Sequence, residues 1–133
     1  MVLVGLADGR GDVADGLDVE GVGLVRAEEY AVMMAAGMRE KDLQDNVVDL
    51  AKRLGWLAYH THDSRRSEPG FPDLVLVHPG RGRLLWRELK QEKKYPTPAQ
   101  RIWLAGLKAV GQDAEVWRPR QWFDRTIEKE LLA

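Results

Sequence analysis

The sequence contains no cysteine, which excludes disulfides and thiolate metal sites and fits a reducing, intracellular setting. No apolar stretch reaches the ~18 residues that a membrane-spanning helix needs. The start, MVLVGLADGRGDVADG, has neither a basic n-region nor a sustained apolar core, so it does not read as a secretory signal. P-loop, Rossmann and zinc-finger spacings are absent. There is no internal repeat, and no low-complexity tract beyond the N-terminus. Arg10-Gly11-Asp12 matches a cell-adhesion tripeptide, but a three-letter match in such a chain carries no weight.

What is present fits one domain: 133 residues are enough for a single modest core. The formal charge of −1 conceals an asymmetry. Residues 1–37 hold seven acids and two Arg, whereas the rest holds eighteen Lys and Arg against fourteen acids. A mildly basic body suits a polyanionic partner without requiring one. Residues 1–37 also contain seven of the thirteen glycines and no stable periodicity, so they read as a flexible or loosely packed extension. A short helix over about 27–36 is the one element expected there. Met33, Met34 and Met38 are alternative starts, which would make the first three dozen residues an upstream extension. The expected division is therefore 1–37 and 38–133.

From Met38 the pattern sharpens. Leu43, Val47, Leu50, Ala51 and Leu54 recur at helical spacing, and Gly55 is placed to stop the helix. Glu40 and Gln44 fall on the same inward face. Glu40 either complements the helix dipole or serves a site, because a carboxylate on an apolar stripe needs a partner. Residues 56–60 read as a strand. In the polar loop that follows, His60, His62 and Asp63 are a weak metal signal and read better as surface or satisfied groups. Ser64, Arg65, Arg66 and Ser67 offer hydroxyls and guanidinium forks suited to phosphate, or else form a solvated basic loop.

Further on, Thr97, Pro98 and Gln100 make a capping box with Pro at the first helical position. Gln100, Trp103, Leu104 and Leu107 share a face, and Gly111 ends that helix. Gln100 caps, points into a site, or does both. Residues 114–117 read as a strand, and a last helix over 121–132 is expected to bury Trp122, Phe123, Ile127 and Leu131. The order helix, strand, hairpin, helix, strand, helix predicts an α/β fold, a small mixed sheet flanked by helices.

The chain is organised around residues 70–90, GFPDLVLVHPGRGRLLWRELK. Strands over 73–77 and 84–89 flank a turn rich in Pro and Gly, which predicts a β-hairpin. Alternation places Glu88 and Lys90 on one face. If Val77 pairs with Leu84, Asp73 falls opposite Glu88, with Cβ atoms about 4.5–5.5 Å apart. Two carboxylates at that range repel unless a cation lies between them, which argues for a metal site. The plainer alternative is an Asp73–Lys90 ion pair with Glu88 solvated.

Gly70-Phe71-Pro72-Asp73 followed by Glu88-Leu89-Lys90 resembles the PD-(D/E)XK nuclease signature, and more narrowly the VRR-NUC (virus-type replication-repair nuclease) family. Glu40, the His60-x-x-Asp63-Ser64-Arg65 segment and Thr97-Pro98-x-Gln100 extend the likeness over about 39–123. The resemblance implies a restriction-endonuclease-like core and a metal-dependent DNA nuclease. Asp73, Glu88 and the main-chain carbonyl of Leu89 would ligate Mg²⁺ or Mn²⁺. Glu40 would complete the acidic cluster, directly or through water, and Gln100 would support the site from the second helix. Lys90, an amine beside two carboxylates, would position the attacking water rather than abstract its proton. It further implies a homodimer acting on branched DNA such as four-way junctions, in the cytoplasm of a bacterial or phage-infected cell, in DNA repair or recombination. The dimer contact is expected at the strand after Gly111 or at the last helix. A less selective duplex or flap nuclease, and a DNA- or protein-binding module of this fold without turnover, are the alternatives.

Overall fold

The computed structural model describes residues 18–19, 22–23, 26–62 and 66–133. Two antiparallel two-residue strands, β1 (Asp18–Val19) and β2 (Val22–Gly23), precede helix α1 (Ala27–Ala35). The body then runs α2 (Glu40–Arg53), β3 (Leu57–His60), β4 (Leu74–His78), β5 (Arg83–Leu89), α3 (Pro98–Ala109), β6 (Asp113–Trp117), α4 (Pro119–Phe123) and α5 (Thr126–Leu132). The four longer strands form one sheet in the order β3-β4-β5-β6. β3, β4 and β5 are antiparallel, and β6 joins β5 in parallel through the α3 crossover. The sheet is therefore mixed, as the element order predicts.

The core lies on one face of this sheet. Leu74, Leu76, Leu85 and Leu89 alternate inward and meet Leu43, Val47 and Ala51 of α2 and Ile127 and Leu131 of α5. All are 1% exposed or less, and burying each Leu or Ile contributes about 1.5–3 kcal/mol. Gly55 stops α2 with φ +93°, a conformation that glycine reaches without strain. Trp56 then turns inward and donates its indole N–H to the Leu131 carbonyl at 3.1 Å.

Two expectations need correction. The last helix is broken and starts earlier: α4 ends at Phe123, and Arg125 adopts φ +70° before α5 begins. Asp124 Oδ1 accepts the Thr126 N–H at 2.9 Å, a local side-chain bond that competes with helix continuation. Trp122 and Phe123 are consequently only half-buried. Phe123 meets Tyr30 edge-on at 6.4 Å between ring centroids, so α1 packs on α4, and Ala31 and Ala35 of α1 are fully buried. The hairpin turn also has more structure than a simple reversal. Residues 79–81 form one 3₁₀ turn, with His78 Nδ1 accepting the Arg81 N–H at 3.1 Å. That leaves Nε2–H to donate to the Leu54 carbonyl, 3.2 Å away.

Candidate active site

The hairpin register is the one on which the sequence argument depends. Val77 pairs with Leu84 and Leu74 with Arg87, so the next opposed pair is Asp73 with Glu88. The backbone ladder stops one residue short of that pair, and the Asp73 side chain takes over. Its Oδ2 accepts the Leu89 N–H at 2.9 Å, while its carbonyl accepts the Thr61 N–H at 2.9 Å. Asp73 is thereby fixed between two strands at the end of the sheet. Gly70 makes the approach possible. It has φ +87°, and a Cβ there would fall 2.4 Å from the carbonyl carbon of Ala99, so the turn before Asp73 seats directly on the first turn of α3.

Glu88 is 2% exposed, and its Oε1 is buried without a hydrogen-bond partner. Lys90 Nζ lies 3.9 Å from its other oxygen, Oε2. Burial pushes the Glu88 carboxyl up to about 8, and the Asp73 charge and the hydrogen bond between the two carboxyls add to this. Lys90 opposes the shift and Glu40 reinforces it. Asp73 is also raised, chiefly by burial, against the Leu89 amide that donates to it. Glu40 pushes Asp73 in the same direction. Two neighbouring buried carboxyls that both resist losing their protons favour a cation.

The structure thus brings Asp73, Glu88 and Lys90 together, with Glu40 near enough for its charge to be felt by both acids. Glu40 is half-buried in the first turn of α2. Gln100 Oε1 accepts the Thr97 N–H at 2.8 Å, and Thr97 Oγ1 accepts the Gln100 N–H at 3.2 Å. Its carbonyl oxygen is therefore committed to the cap. Asp63, Ser64 and Arg65 lie outside the described residues; Arg66 is exposed and Ser67 half-buried. The His60 and His62 rings lie against each other at a tilt of 55°, with centroids 4.6 Å apart.

Among the described residues, no three His, Cys, Asp or Glu side chains are grouped to hold an ion. Two carboxylates and a main-chain carbonyl remain, a donor set of hard oxygens that suits a small divalent ion retaining several waters. The orphaned Glu88 Oε1 is the specific observation in favour of that fit.

The model of the VRR-NUC domain matches residues 24–121, most of the chain. The chain belongs to the VRR-NUC domain family. Two solved structures agree with it. One, a VRR_NUC domain, is 26% identical with a TM-score of 0.57, covering 67% of this chain and 94% of its own. The other, a VRR_NUC domain protein, is 22% identical with a TM-score of 0.53, covering 71% of this chain and 91% of its own, and shows the shared fold. No curated protein matches. The VRR-NUC match begins before α1, so that helix falls within the matched region. VRR-NUC is a nuclease domain, and DNA is its substrate.

Two features of this VRR-NUC chain escape the sequence reading. One is Arg87, buried on the face opposite Glu88 and held by Asp113 and Glu130. Strand alternation with Leu85 and Leu89 does place it inward, so the signal is present. The other is Arg118, whose guanidinium binds the loop after Lys90. No periodicity announces that contact.

Proposed function

We propose that this chain is a divalent-metal-dependent DNA endonuclease with its active site at Asp73, Glu88 and Lys90. The observation that carries the reading is Glu88: a buried carboxyl beside a second one, with an oxygen that no protein group satisfies. Asp73, Glu88 and the Leu89 carbonyl would hold Mg²⁺ or Mn²⁺. The ion would acidify bound water and act as a Lewis acid toward the phosphate. Asp73 is oriented by the Leu89 amide, and Glu88 by its strand and by Lys90. Lys90 orients the attacking water against the scissile phosphate. Glu40 adds negative charge that favours cation uptake, and Gln100 supports the site by fixing the first turn of α3 beside Gly70. Ser64, Arg65, Arg66 and Ser67 are assigned to backbone phosphates. The preferred substrate is branched DNA.

Branched substrates suit a two-fold dimer, and we assign its contact to β3. The two sheet edges differ. β6 carries Asp113 and Glu115, charges that guard an edge against pairing, whereas β3 (LAYH) and its neighbour β4 (LVLVH) carry no Asp, Glu, Lys or Arg. Leu57 and Tyr59 are 64% and 57% exposed on β3. Sedimentation of wild type against Leu57→Glu tests this: a dimer lost in the variant is expected, and a wild-type monomer overturns it.

The activity is tested with labelled four-way-junction, flap, duplex and single-stranded DNA in Mg²⁺, Mn²⁺ or EDTA, with Asp73→Ala as control. Junction cleavage that requires metal and Asp73 is expected. Cleavage of every form removes the selectivity, and binding without cleavage in any ion removes the enzyme.

A further inference from the structure

The loop that leaves the active site carries the most exposed large hydrophobic side chain among the described residues. Tyr95, five residues after Lys90, is 77% exposed, yet its loop is braced at several points. Arg118 Nη1 donates to the Gln91 carbonyl at 2.9 Å and also to the Lys94 carbonyl. The same guanidinium sits over the Tyr95 ring, 5.3 Å from its centroid. Glu92 Oε2 accepts the Arg120 N–H at 2.8 Å, and Arg101 Nη1 donates to the Pro96 carbonyl at 2.7 Å. Lys93 is held at φ +68°, unusual for a residue with a side chain.

An exposed ring gains little by being held still in water, and a left-handed lysine persists only where its surroundings enforce it. The bracing therefore keeps a ring and two exposed lysines, Lys93 and Lys94, in a fixed arrangement. The position bears on the site. Tyr95 is at most ~18 Å of extended chain from Lys90. Two residues later, Thr97 caps α3, whose first turn abuts the turn before Asp73. An aromatic face flanked by cations is what nucleic-acid strands dock on when their bases are free to stack. Paired bases inside a duplex present no free face.

We propose that Tyr95 is a stacking platform for an unpaired nucleobase beside the scissile phosphate, with Lys93 and Lys94 holding the adjoining phosphates. This rests on the nuclease reading and gives its preference for branched or interrupted DNA a structural source. The ring stacks on one side against Arg118 and on the other receives the base.

The experiment measures binding, not turnover. Asp73→Asn protein is titrated in calcium with DNA carrying 2-aminopurine either in a short single-stranded gap or in the intact duplex. Quenching in the gap is expected, and adding Tyr95→Ala should abolish it and weaken gapped-DNA binding about tenfold, leaving the duplex unchanged. Tyr95→Trp should restore both. A Tyr95→Ala protein that binds and quenches gapped DNA as its parent does, or that loses duplex and gapped DNA equally, overturns the inference alone. A wild-type protein that neither binds nor cuts any DNA overturns the nuclease reading, and this inference falls with it.

Discussion

Arg87 and Glu88 are neighbours in sequence, both 2% exposed, on opposite faces of the same strand. Arg87 is answered at both of its Nη atoms, and only its Nε is buried without a partner. Its Nη2 meets Asp113 Oδ1 at 2.9 Å and Glu130 Oε1 at 3.0 Å, and its Nη1 donates to the carbonyls of Trp86 and Asp113. The guanidinium also lies over the Trp117 ring, whose indole N–H donates to the same Glu130 oxygen. Glu88 has a second acid beside it, a lysine 3.9 Å from Oε2, and one oxygen, Oε1, without a hydrogen-bond partner. A buried charge that the fold satisfies serves the fold, because it ties β5, β6 and α5 together. A buried carboxyl that the fold leaves without a partner is costly to ionise, and the missing partner is then best sought outside the chain.

This contrast is open to test, the largest effect being on activity. Glu88→Gln keeps shape and removes charge, so cleavage should fall by at least roughly 10²–10³-fold, the scale of losing one preorganised electrostatic group. Its denaturation curve in EDTA should show a fold at least as stable as wild type. Arg87→Ala should do the reverse. It leaves Asp113 and Glu130, both partly exposed, without their shared partner and should cost about 1–3 kcal/mol in urea unfolding, with metal-dependent cleavage surviving in the folded fraction. The double variant Arg87→Met/Glu130→Gln should regain part of that loss.

The pH response comes next. A carboxyl whose folded value is raised to about 8 favours the protonated fold. Its contribution is full below its unfolded value of about 4.3, declines as pH rises toward 8, and is lost above that. Thermal melts in EDTA should therefore fall across this window, and Glu88→Gln should flatten that part of the slope. Magnesium should raise the melting point most at the alkaline end, since a ligand of the folded state stabilises it by mass action. The smallest effect belongs to Asp113→Asn. Asp113 is 45% exposed and shares Arg87 with Glu130, so a loss of about 0.2–1 kcal/mol is expected in the same urea assay.

The hairpin, its register and the convergence of Asp73, Glu88 and Lys90 were legible because strand alternation and a Pro/Gly turn are local signals. So were α2, stopped at Gly55, and the capping box at Thr97 and Gln100. The break at Asp124–Arg125 was not, since residues 121–132 keep a helical apolar spacing across it, and a single side-chain bond to the Thr126 amide decides it. The packing of α1 on Phe123 was equally hidden: its small buried face is two alanines, too faint for a periodicity argument.

The order of residues along this chain, taken alone, determined which side chains share a face and which segments form strands or helices, because both follow from backbone periods of two and 3.6. Only the folded molecule decided how those groups are solvated. That both Arg87 Nη atoms have partners and Glu88 Oε1 has none depends on Asp113 of β6 and Glu130 of α5 reaching the core face of β5 while no donor reaches Oε1 on the other, and distant segments meet through packing that no local pattern records.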